Sequence, residues 1–234
     1  MRQLGAHFWY AWTMFVYLVM SILMWTPFRI ALWLKPTART FWLWLRAWSR
    51  AIFAAVGFRV AARHEAEVGE AVVYVSNHQA AMDIPVLTIG LQQPFVFLAR
   101  SELRRVPFVG GILHGSRCVL MDRSSGEGVA RAMEESKERL QSGESVLFFP
   151  EGTRGYEQMK PFRRGAFRLA MDAGVPVVPV AIDGSHRILN ERQKVAAPGR
   201  VHVRVGAPMP ALPGEDERQY ADRAQAEVER LLAA

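Results

Sequence analysis

The stretch AVVYVSNHQAAMDIP, residues 71–85, decides the fold of this 234-residue chain. Its first six residues are an apolar run typical of a short buried strand, and the proline at position 85 is typical of the first turn of a helix. Between them, His78 and Asp83 stand five positions apart, a spacing that does not stack on one helix face. The two side chains can therefore meet only if His78 lies in the turn after the strand and Asp83 begins the helix.

This His–Asp spacing indicates a general base. A carboxylate that holds one imidazole nitrogen leaves the other nitrogen free to take a proton from a hydroxyl. Residues 77–83 contain no Ser or Cys, so the nucleophile has to come from elsewhere. A loop histidine next to a helix-capping aspartate would give the same spacing, and the rest of the chain has to distinguish the two interpretations.

Beyond Glu65 the chain alternates short apolar runs with helical patterns. Strands are predicted at residues 71–76, 95–99, 117–121, 145–149, 176–182 and 201–205. Helices are predicted at residues 127–141, 165–173 and 215–232. Continuous apolar strands that alternate with helices predict an α/β fold with a covered, mostly parallel or mixed sheet and flanking helices.

The positive charge is concentrated at the N-terminus. The net charge is +7, and residues 1–64 contain eight Lys and Arg, no Asp or Glu, and all seven tryptophans. Basic residues and indole rings together suit the headgroup region of an anionic bilayer. Binding of nucleic acid would need aromatic residues on a basic folded domain, which the sequence does not indicate. We therefore expect membrane lipids as partners, and no nucleic acid.

The N-terminal segment is long enough to enter a membrane. No charged residue lies between Arg2 and Arg29, and about 20 apolar residues suffice to span a bilayer. A spanning helix and a helical hairpin in one leaflet both fit this stretch. Most of the early basic residues follow the apolar run, which predicts an inner (cytoplasmic) membrane protein with its remainder facing the cytoplasm. We expect two parts, a membrane-associated helical segment at residues 1–64 and a catalytic domain at residues 65–234.

Polar groups also follow the other predicted strands. Arg100 follows the second strand, Asp122 and Arg123 follow the third, and Glu-Gly-Thr-Arg at residues 151–154 follows the fourth. Each could be a solvated turn, but ligands of open α/β sheets gather at the carboxyl ends of strands, and arginine binds phosphate through two parallel hydrogen bonds. The four ends together predict a phosphate site near His78. Further basic residues precede the 165–173 helix: Lys160, Arg163 and Arg164.

Four motifs together resemble the lysophosphatidic acid acyltransferases (1-acylglycerol-3-phosphate O-acyltransferases) of the glycerolipid acyltransferase superfamily. Asn-His-x4-Asp stands at residues 77–83, and a glycine-led strand that ends in Arg stands at 115–123. Phe-Pro-Glu-Gly-Thr-Arg stands at residues 149–154, and Val-Pro-Val-Val-Pro-Val at 175–180. Their order and spacing agree with the family over about residues 69–185. Arg100 departs from the lysine often found there but keeps the positive charge.

The resemblance implies transfer of a fatty acyl group from acyl-CoA or acyl-carrier protein to the sn-2 hydroxyl of 1-acylglycerol 3-phosphate, a lysophospholipid, which gives phosphatidic acid. His78 would deprotonate the hydroxyl, and Asp83 would orient the imidazole and stabilise its charged form. Arg100 and Arg154 would hold the phosphate, and Arg123 the same anion or the acyl donor. The full predicted substrate-binding set is Arg100, Arg123, Glu151, Gly152, Thr153 and Arg154. No cofactor or metal is expected, because a thioester is already activated and the histidines lack metal-ligand spacing.

Three alternatives stay open at this point. The acceptor could instead be glycerol 3-phosphate or another lysolipid, such as a lyso-ornithine lipid. A non-catalytic membrane protein that binds lipid or acyl carrier is a third interpretation, against which the intact His78 and Asp83 argue. A serine hydrolase is disfavoured because the chain has no Gly-x-Ser-x-Gly motif. The acyl donor and chain length are not determined by the sequence.

Overall fold

The computed structural model describes residues 2–34, 37–69, 71–105, 110, 113, 118–155 and 158–234. The helices are α1 Arg2–Leu34, α2 Ala38–Val56, α3 Asp83–Gly90, α4 Gly126–Gln141, α5 Gly165–Ala173, α6 Ser185–Ile188 and α7 Glu217–Ala233, with a 3₁₀ helix at Ser101–Arg105. The strands are β1 Phe58–His64, β2 Val73–Ser76, β3 Phe95–Arg100, β4 Val119–Met121, β5 Ser145–Phe148, β6 Val177–Asp183, β7 Leu189–Asn190, β8 Val195–Ala196 and β9 Gly199–Val205. The first three residues of the predicted glycine-led motif, 115–117, lie outside the described residues.

A seven-stranded sheet in the order β1-β9-β6-β2-β5-β3-β4 forms the centre of the molecule. Strands β6, β2, β5, β3 and β4 are parallel to one another. Strand β9 runs antiparallel to β6, and β1 is parallel to β9. The prediction of a covered, mostly parallel or mixed sheet with flanking helices is confirmed. The four strands with polar carboxyl ends are neighbours, so these ends lie along one edge of the sheet.

Each face of the sheet is covered by its own helices. Val178, Val203 and other strand residues that point to one side of the sheet pack with α2 and α3 in one apolar core. On the other face, Val177 and Ala181 pack in a second core with α5 and α7. This separation follows from the alternation of strand side chains between the two faces. Both cores are continuous enough to fix the register of every central strand.

Helices α1 and α2 form an antiparallel hairpin. The indole nitrogen of Trp12 donates to the carbonyl of Ala55 at 3.3 Å, and that of Trp44 donates to Met24 at 3.2 Å. Within α1, Leu4–Ala31 is long and apolar enough to cross a membrane, by length and composition. The predicted helical N-terminal segment is therefore present as two helices, and its tryptophans pack between them as well as facing outward.

Residues 58–64 were expected in the helical segment, and here the expectation is wrong. They form β1, the edge strand of the sheet. Gly57 ends α2 in the left-handed conformation, with φ of 71°, and turns the chain into the strand. The sequence pattern did not indicate this strand, because its outward positions carry arginines and only one of its faces is apolar. The helical segment ends at Val56.

The side chain of Asn77 connects β2 to β6. Its Nδ2 donates to the carbonyl of Ile182 at 2.8 Å, and its Oδ1 accepts from the amide of the same residue at 2.8 Å. The two bonds continue the β2–β6 ladder one step beyond Ser76, in a place where both residues are buried. They fix the position at which the chain leaves β2, and therefore the position of His78.

We expect Asn77→Ala to destabilise the fold. The substitution leaves two buried backbone groups of Ile182 unpaired, each of which costs about 1–3 kcal/mol. Denaturant unfolding measures the loss. The matched control is Asn190→Ala, which removes one exposed bond to the amide of Gln193. An unfolding free energy of Asn77→Ala equal to that of the control would show that the β2–β6 connection does not depend on this amide.

Candidate active site

The predicted His–Asp pair is formed. His78 Nδ1 lies 2.7 Å from Asp83 Oδ2, and the same oxygen accepts the backbone amides of Gln79 at 2.7 Å and Ala80 at 3.0 Å. Asp83 is fully buried and lies in the first turn of α3, where a negative charge is favoured. Because the carboxylate is an acceptor, Nδ1 of the neutral ring carries the proton and Nε2 is the basic nitrogen.

The surroundings of His78 hold the ring in place and leave Nε2 available. The imidazole stacks on Phe149, with ring centroids 4.1 Å apart and planes inclined by 16°. The carbonyl of His78 accepts the amide of Gly155 at 2.8 Å. Nε2 has no hydrogen-bond partner within the described ranges, and the side chain is 20% exposed. The ring is thus oriented by Asp83 and Phe149, and the backbone of His78 is held by Gly155, while Nε2 stays available to a substrate.

Glu151 holds two backbone segments together. Its Oε1 accepts the amide of His78 at 2.7 Å, and its Oε2 accepts the amide of Lys160 at 2.8 Å. Burial raises the pKa of the Glu151 carboxyl, while these two hydrogen bonds and the nearby cationic side chains act in the opposite direction. Thr153 contributes at the same turn, because its hydroxyl accepts from Lys160 Nζ at 2.7 Å. Both oxygens of Glu151 are therefore engaged with backbone.

The guanidinium groups of Arg123 and Arg163 lie at Gly152, and Arg100 is close enough to Arg123 for their charges to interact. Arg123 Nη1 donates to the carbonyl of Gly152 at 2.5 Å, and the guanidinium of Arg163 lies where a Cβ on Gly152 would meet it at 2.9 Å. The pKa of Arg123 is lowered by burial and then by the charges of Arg100 and Arg163. None of the three forms a salt bridge within the part of the chain that the structure describes. We call Arg100, Arg123 and Arg163 the arginine cluster, and its chemistry suits a phosphate.

Arg154 makes its contact elsewhere. Its Nη1 lies 3.9 Å from Glu191 Oε2, and Glu191 Oε1 accepts the amide of Ala81 at 2.6 Å. Arg154 thus contacts Glu191, which binds the loop between His78 and Asp83, whereas Arg100 lies near Arg123. The structure brings together the predicted residues in two groups, one around Gly152 and one around the His–Asp loop.

The sequence did not indicate two residues of this site and left a third without a role. Glu191 and Gln79 hold the His–Asp loop, and Arg163 belongs to the arginine cluster. Gln79 Oε1 accepts the amide of Gly184 at 3.2 Å, which ties the loop to the end of β6. The sequence placed Arg163 in a basic loop that begins a helix, where anions are favoured, but did not include it in the substrate-binding set. Glu191 carries no local signal, since it acts 110 positions from Ala81.

The N-terminal helix also contacts this loop. The hydroxyl of Tyr17 on α1 lies 2.9 Å from the sulfur of Met82. His7 Nδ1 lies 2.9 Å from the carbonyl of Lys194, in the turn between β7 and β8. The segment that carries the apolar surface is therefore packed directly against the residue that precedes Asp83. The position of α1 therefore affects how a substrate can approach His78.

Comparison with known proteins gives a consistent result. Residues 57–183 match the family model described as Acyltransferase. A 1-acyl-sn-glycerol-3-phosphate acyltransferase of Chlamydomonas reinhardtii is 33% identical over 163 residues, 69% of this chain and 48% of the algal protein. The 1-acyl-sn-glycerol-3-phosphate acyltransferase alpha of Ovis aries is 32% identical over 173 residues, 71% of this chain and 60% of the sheep protein.

The fold itself has a close counterpart. The crystal structure of the 1-acyl-sn-glycerophosphate (LPA) acyltransferase PlsC from Thermotoga maritima matches with a TM-score of 0.84 and 22% identity, over 100% of this chain and 98% of that chain. The chain spans about half the length of the algal relative and less than two thirds of the sheep relative. The family match covers more than half of the chain and contains His78, Asp83 and the whole turn from Glu151 to Arg154. On this evidence, the protein belongs to the acyltransferase family.

Proposed function

We propose that the protein transfers a fatty acyl group from a thioester to the sn-2 hydroxyl of 1-acyl-sn-glycerol 3-phosphate, which gives phosphatidic acid for phospholipid biosynthesis. The observation that carries this proposal is the His78–Asp83 pair, with an available Nε2, at the same sheet edge as the arginine cluster. A base for a hydroxyl and a site for a phosphate are the two requirements of such an acceptor. The names of the relatives in alga and sheep support this substrate class.

His78 has the geometry of a general base in this reaction. Its Nε2 takes the proton of the acceptor hydroxyl as the oxygen attacks the thioester carbonyl carbon. The C–S bond then breaks, an ester forms, and the proton passes from Nε2 to the leaving thiolate. Asp83 stabilises the imidazolium that exists between these two steps, and its fixed position preserves the required tautomer. The thioester supplies the activation, so no cofactor is needed.

The arginine cluster would hold the phosphate of the acceptor. A bound phosphate places the sn-2 hydroxyl at a fixed distance from it, and this orientation is a large part of the rate enhancement available to an enzyme that joins two substrates. Gly152 allows the cluster to lie close to the backbone, because a side chain there would meet Arg163. Arg154, only loosely paired with Glu191 at 3.9 Å, is free to turn toward the same anion from the His–Asp loop.

We propose that α1 and α2 form the membrane-associated part and that the sheet and its remaining helices form the catalytic part, on the cytoplasmic side. Much of α1 is apolar and exposed, as at Phe15 and Ile22. The positive charge that follows the apolar run supports the cytoplasmic placement. A lysolipid could then reach His78 without leaving the membrane. The boundary belongs at Gly57, since β1 is part of the sheet.

His78→Ala should lower turnover by roughly 10²–10⁴-fold, the range of a positioned general base. Asp83→Asn should also be severe, because an amide no longer stabilises the imidazolium. The measurement is the rate of phosphatidic acid formation with labelled acyl donor and a panel of acceptors: lysophosphatidic acid, glycerol 3-phosphate and a lyso-ornithine lipid. The control is His64→Ala, which removes an imidazole bonded to the carbonyl of Gly90. Near-normal turnover in a folded His78→Ala protein would refute the mechanism.

Arg100→Ala and Arg163→Ala should each raise the Michaelis constant for the lysophospholipid by about 10–100-fold, the equivalent of one charged hydrogen bond of about 1.5–3 kcal/mol. The constant for the acyl donor should change little. Arg164→Ala serves as the matched control, because this neighbouring arginine is exposed and pairs with Glu217 at 3.7 Å. A rise confined to the acyl donor would mean that the cluster binds the donor instead.

Phe15→Asp/Ile22→Asp should move the protein from the membrane fraction toward the supernatant. Burial of each such side chain in lipid contributes about 1.5–3 kcal/mol, which the aspartates remove. Activity on a short-chain, water-soluble acceptor should survive better than activity on a membrane-embedded one. The control is Leu212→Asp. Leu212 is 52% exposed, close to the 56% of Phe15, but Leu212 lies outside α1. Unchanged fractionation of the double variant would show that this face of α1 does not contact the bilayer.

A further inference from the structure

Four arginines lie together on the outer strands of the sheet. Arg59 and Arg63 on β1 stand directly opposite Arg200 and Arg204 on β9. Arg59, Arg63 and Arg200 are exposed, and Arg204 is half-buried. We call this surface the β1–β9 arginine face.

The arginine side chains of this face lie on the side of the sheet opposite α3, and Arg59 borders the end of α2. Val60, Val201 and Val203, which alternate with the arginines, pack in the core that contains α2 and α3. Successive side chains of a strand point to opposite faces, so the arginines point to the other side. On that side, β6 contributes Ala181, opposite Arg204, to the core with α7. The helix reaches the carboxyl end of β1, where Arg230 pairs with Glu65, and it leaves Arg59, Arg63 and Arg200 exposed.

The arrangement is electrostatically unfavourable for the isolated protein. Like charges directly opposite one another on neighbouring strands destabilise a sheet. Among the described residues, none of the four guanidinium groups has a hydrogen-bond or salt-bridge partner, and Arg204 Nη1 is buried without one. The nearby carboxylate of Asp183 is already paired with Arg187 at 2.7 Å. An anionic partner on this face would relieve the repulsion and accept hydrogen bonds from the exposed arginines Arg59, Arg63 and Arg200.

One end of the face lies at the active-site edge of the sheet. Because β9 is antiparallel to β6, its first residues and those of β1 lie beside the carboxyl end of β6. The contacts are short: a Cβ on Gly184 would lie 3.3 Å from the carbonyl of Arg200, and the amide of Gly184 donates to Gln79, the neighbour of His78. A partner bound here is therefore adjacent to the site of acyl transfer.

We propose that the β1–β9 arginine face docks an acidic acyl-carrier protein that delivers the acyl thioester to His78. This inference rests on the proposed function and selects one of the two donors that the sequence leaves open. The two rows of arginines are about 13 Å apart along the strands, at about 3.3 Å per residue, which suits a surface with several carboxylates. Most of the face lies on the side of the sheet opposite the core that contains α2 and α3, which suits a partner in water better than a lipid headgroup. Charge complementarity of this kind accelerates encounter and selects partners.

The test compares two donors on the full-length protein. Acyl-carrier protein and CoA, charged with the same fatty acid, are each assayed with lysophosphatidic acid as acceptor. Arg59→Glu/Arg200→Glu should raise the Michaelis constant for the acyl-carrier protein by about tenfold or more, which corresponds to about 1.4 kcal/mol, and change that for acyl-CoA less than about twofold. Arg59→Lys/Arg200→Lys should restore most of the affinity for the carrier protein.

The matched control reverses the same number of charges elsewhere. Arg131→Glu/Arg168→Glu changes exposed arginines on α4 and α5 and should leave both donors unaffected. If the glutamate variant melts below the wild type, Arg59→Gln/Arg200→Gln provides the same comparison, and kcat/KM for the carrier protein should lose its steep salt dependence.

Several outcomes would overturn the inference. They are an equal rise for both donors, no change for either, or loss of binding to phosphatidylglycerol vesicles with unchanged donor kinetics, which would make this a membrane surface. A wild-type protein that uses acyl-CoA but not the carrier protein would also refute docking, while the proposed function stands. A wild-type protein that acylates lysophosphatidic acid with neither donor would refute the proposed function itself.

Discussion

A single carboxylate oxygen fixes the geometry on which the rest of the site depends. Asp83 Oδ2 accepts from the imidazole of His78 and from the two backbone amides that follow it. A buried charge is tolerated only when it is paired and hydrogen-bonded, and here the same bonds that satisfy the charge also shape the turn. The start of α3, the path of the loop and the tautomer of the ring are therefore one structural unit. A change in any one of them would alter the other two.

The precision of this unit comes from side chains that bind backbone across long stretches of chain. Asn77 and Gln79 bond to the end of β6, and Glu151 bonds to the amide of His78. Each of these polar groups is buried and engaged, so each adds definition to the site as well as stability. These three buried side chains, which we call the polar clamps, hold the strand ends relative to one another. The two apolar cores hold the sheet itself. The arginine cluster, which we propose binds the phosphate, lies outside these clamps and forms no salt bridge among the described residues.

The sequence predicted the sheet class and the strand ends because both depend on local patterns. Apolar runs followed by His78, Arg100, Arg123 and Glu151 were enough to place these residues at one edge. The sequence did not predict that the arginines fall into two groups, since that division depends on Glu191, a residue with no local signal. The strand β1 was missed for a related reason: an edge strand has one apolar face, and its arginines resembled the charge of the segment before it. The spacing of residues in the sequence does not predict contacts between distant parts of the chain.

The position of β1 has a consequence for the order of assembly. The strand follows α2 directly, yet its one partner among the described strands is β9, near the other end of the chain. During synthesis the N-terminal region emerges first, and contacts between distant segments form late. The apolar α1 is thus synthesised before the sheet that packs beside it can close. The edge pair β1–β9 can therefore form only after β9 has been synthesised.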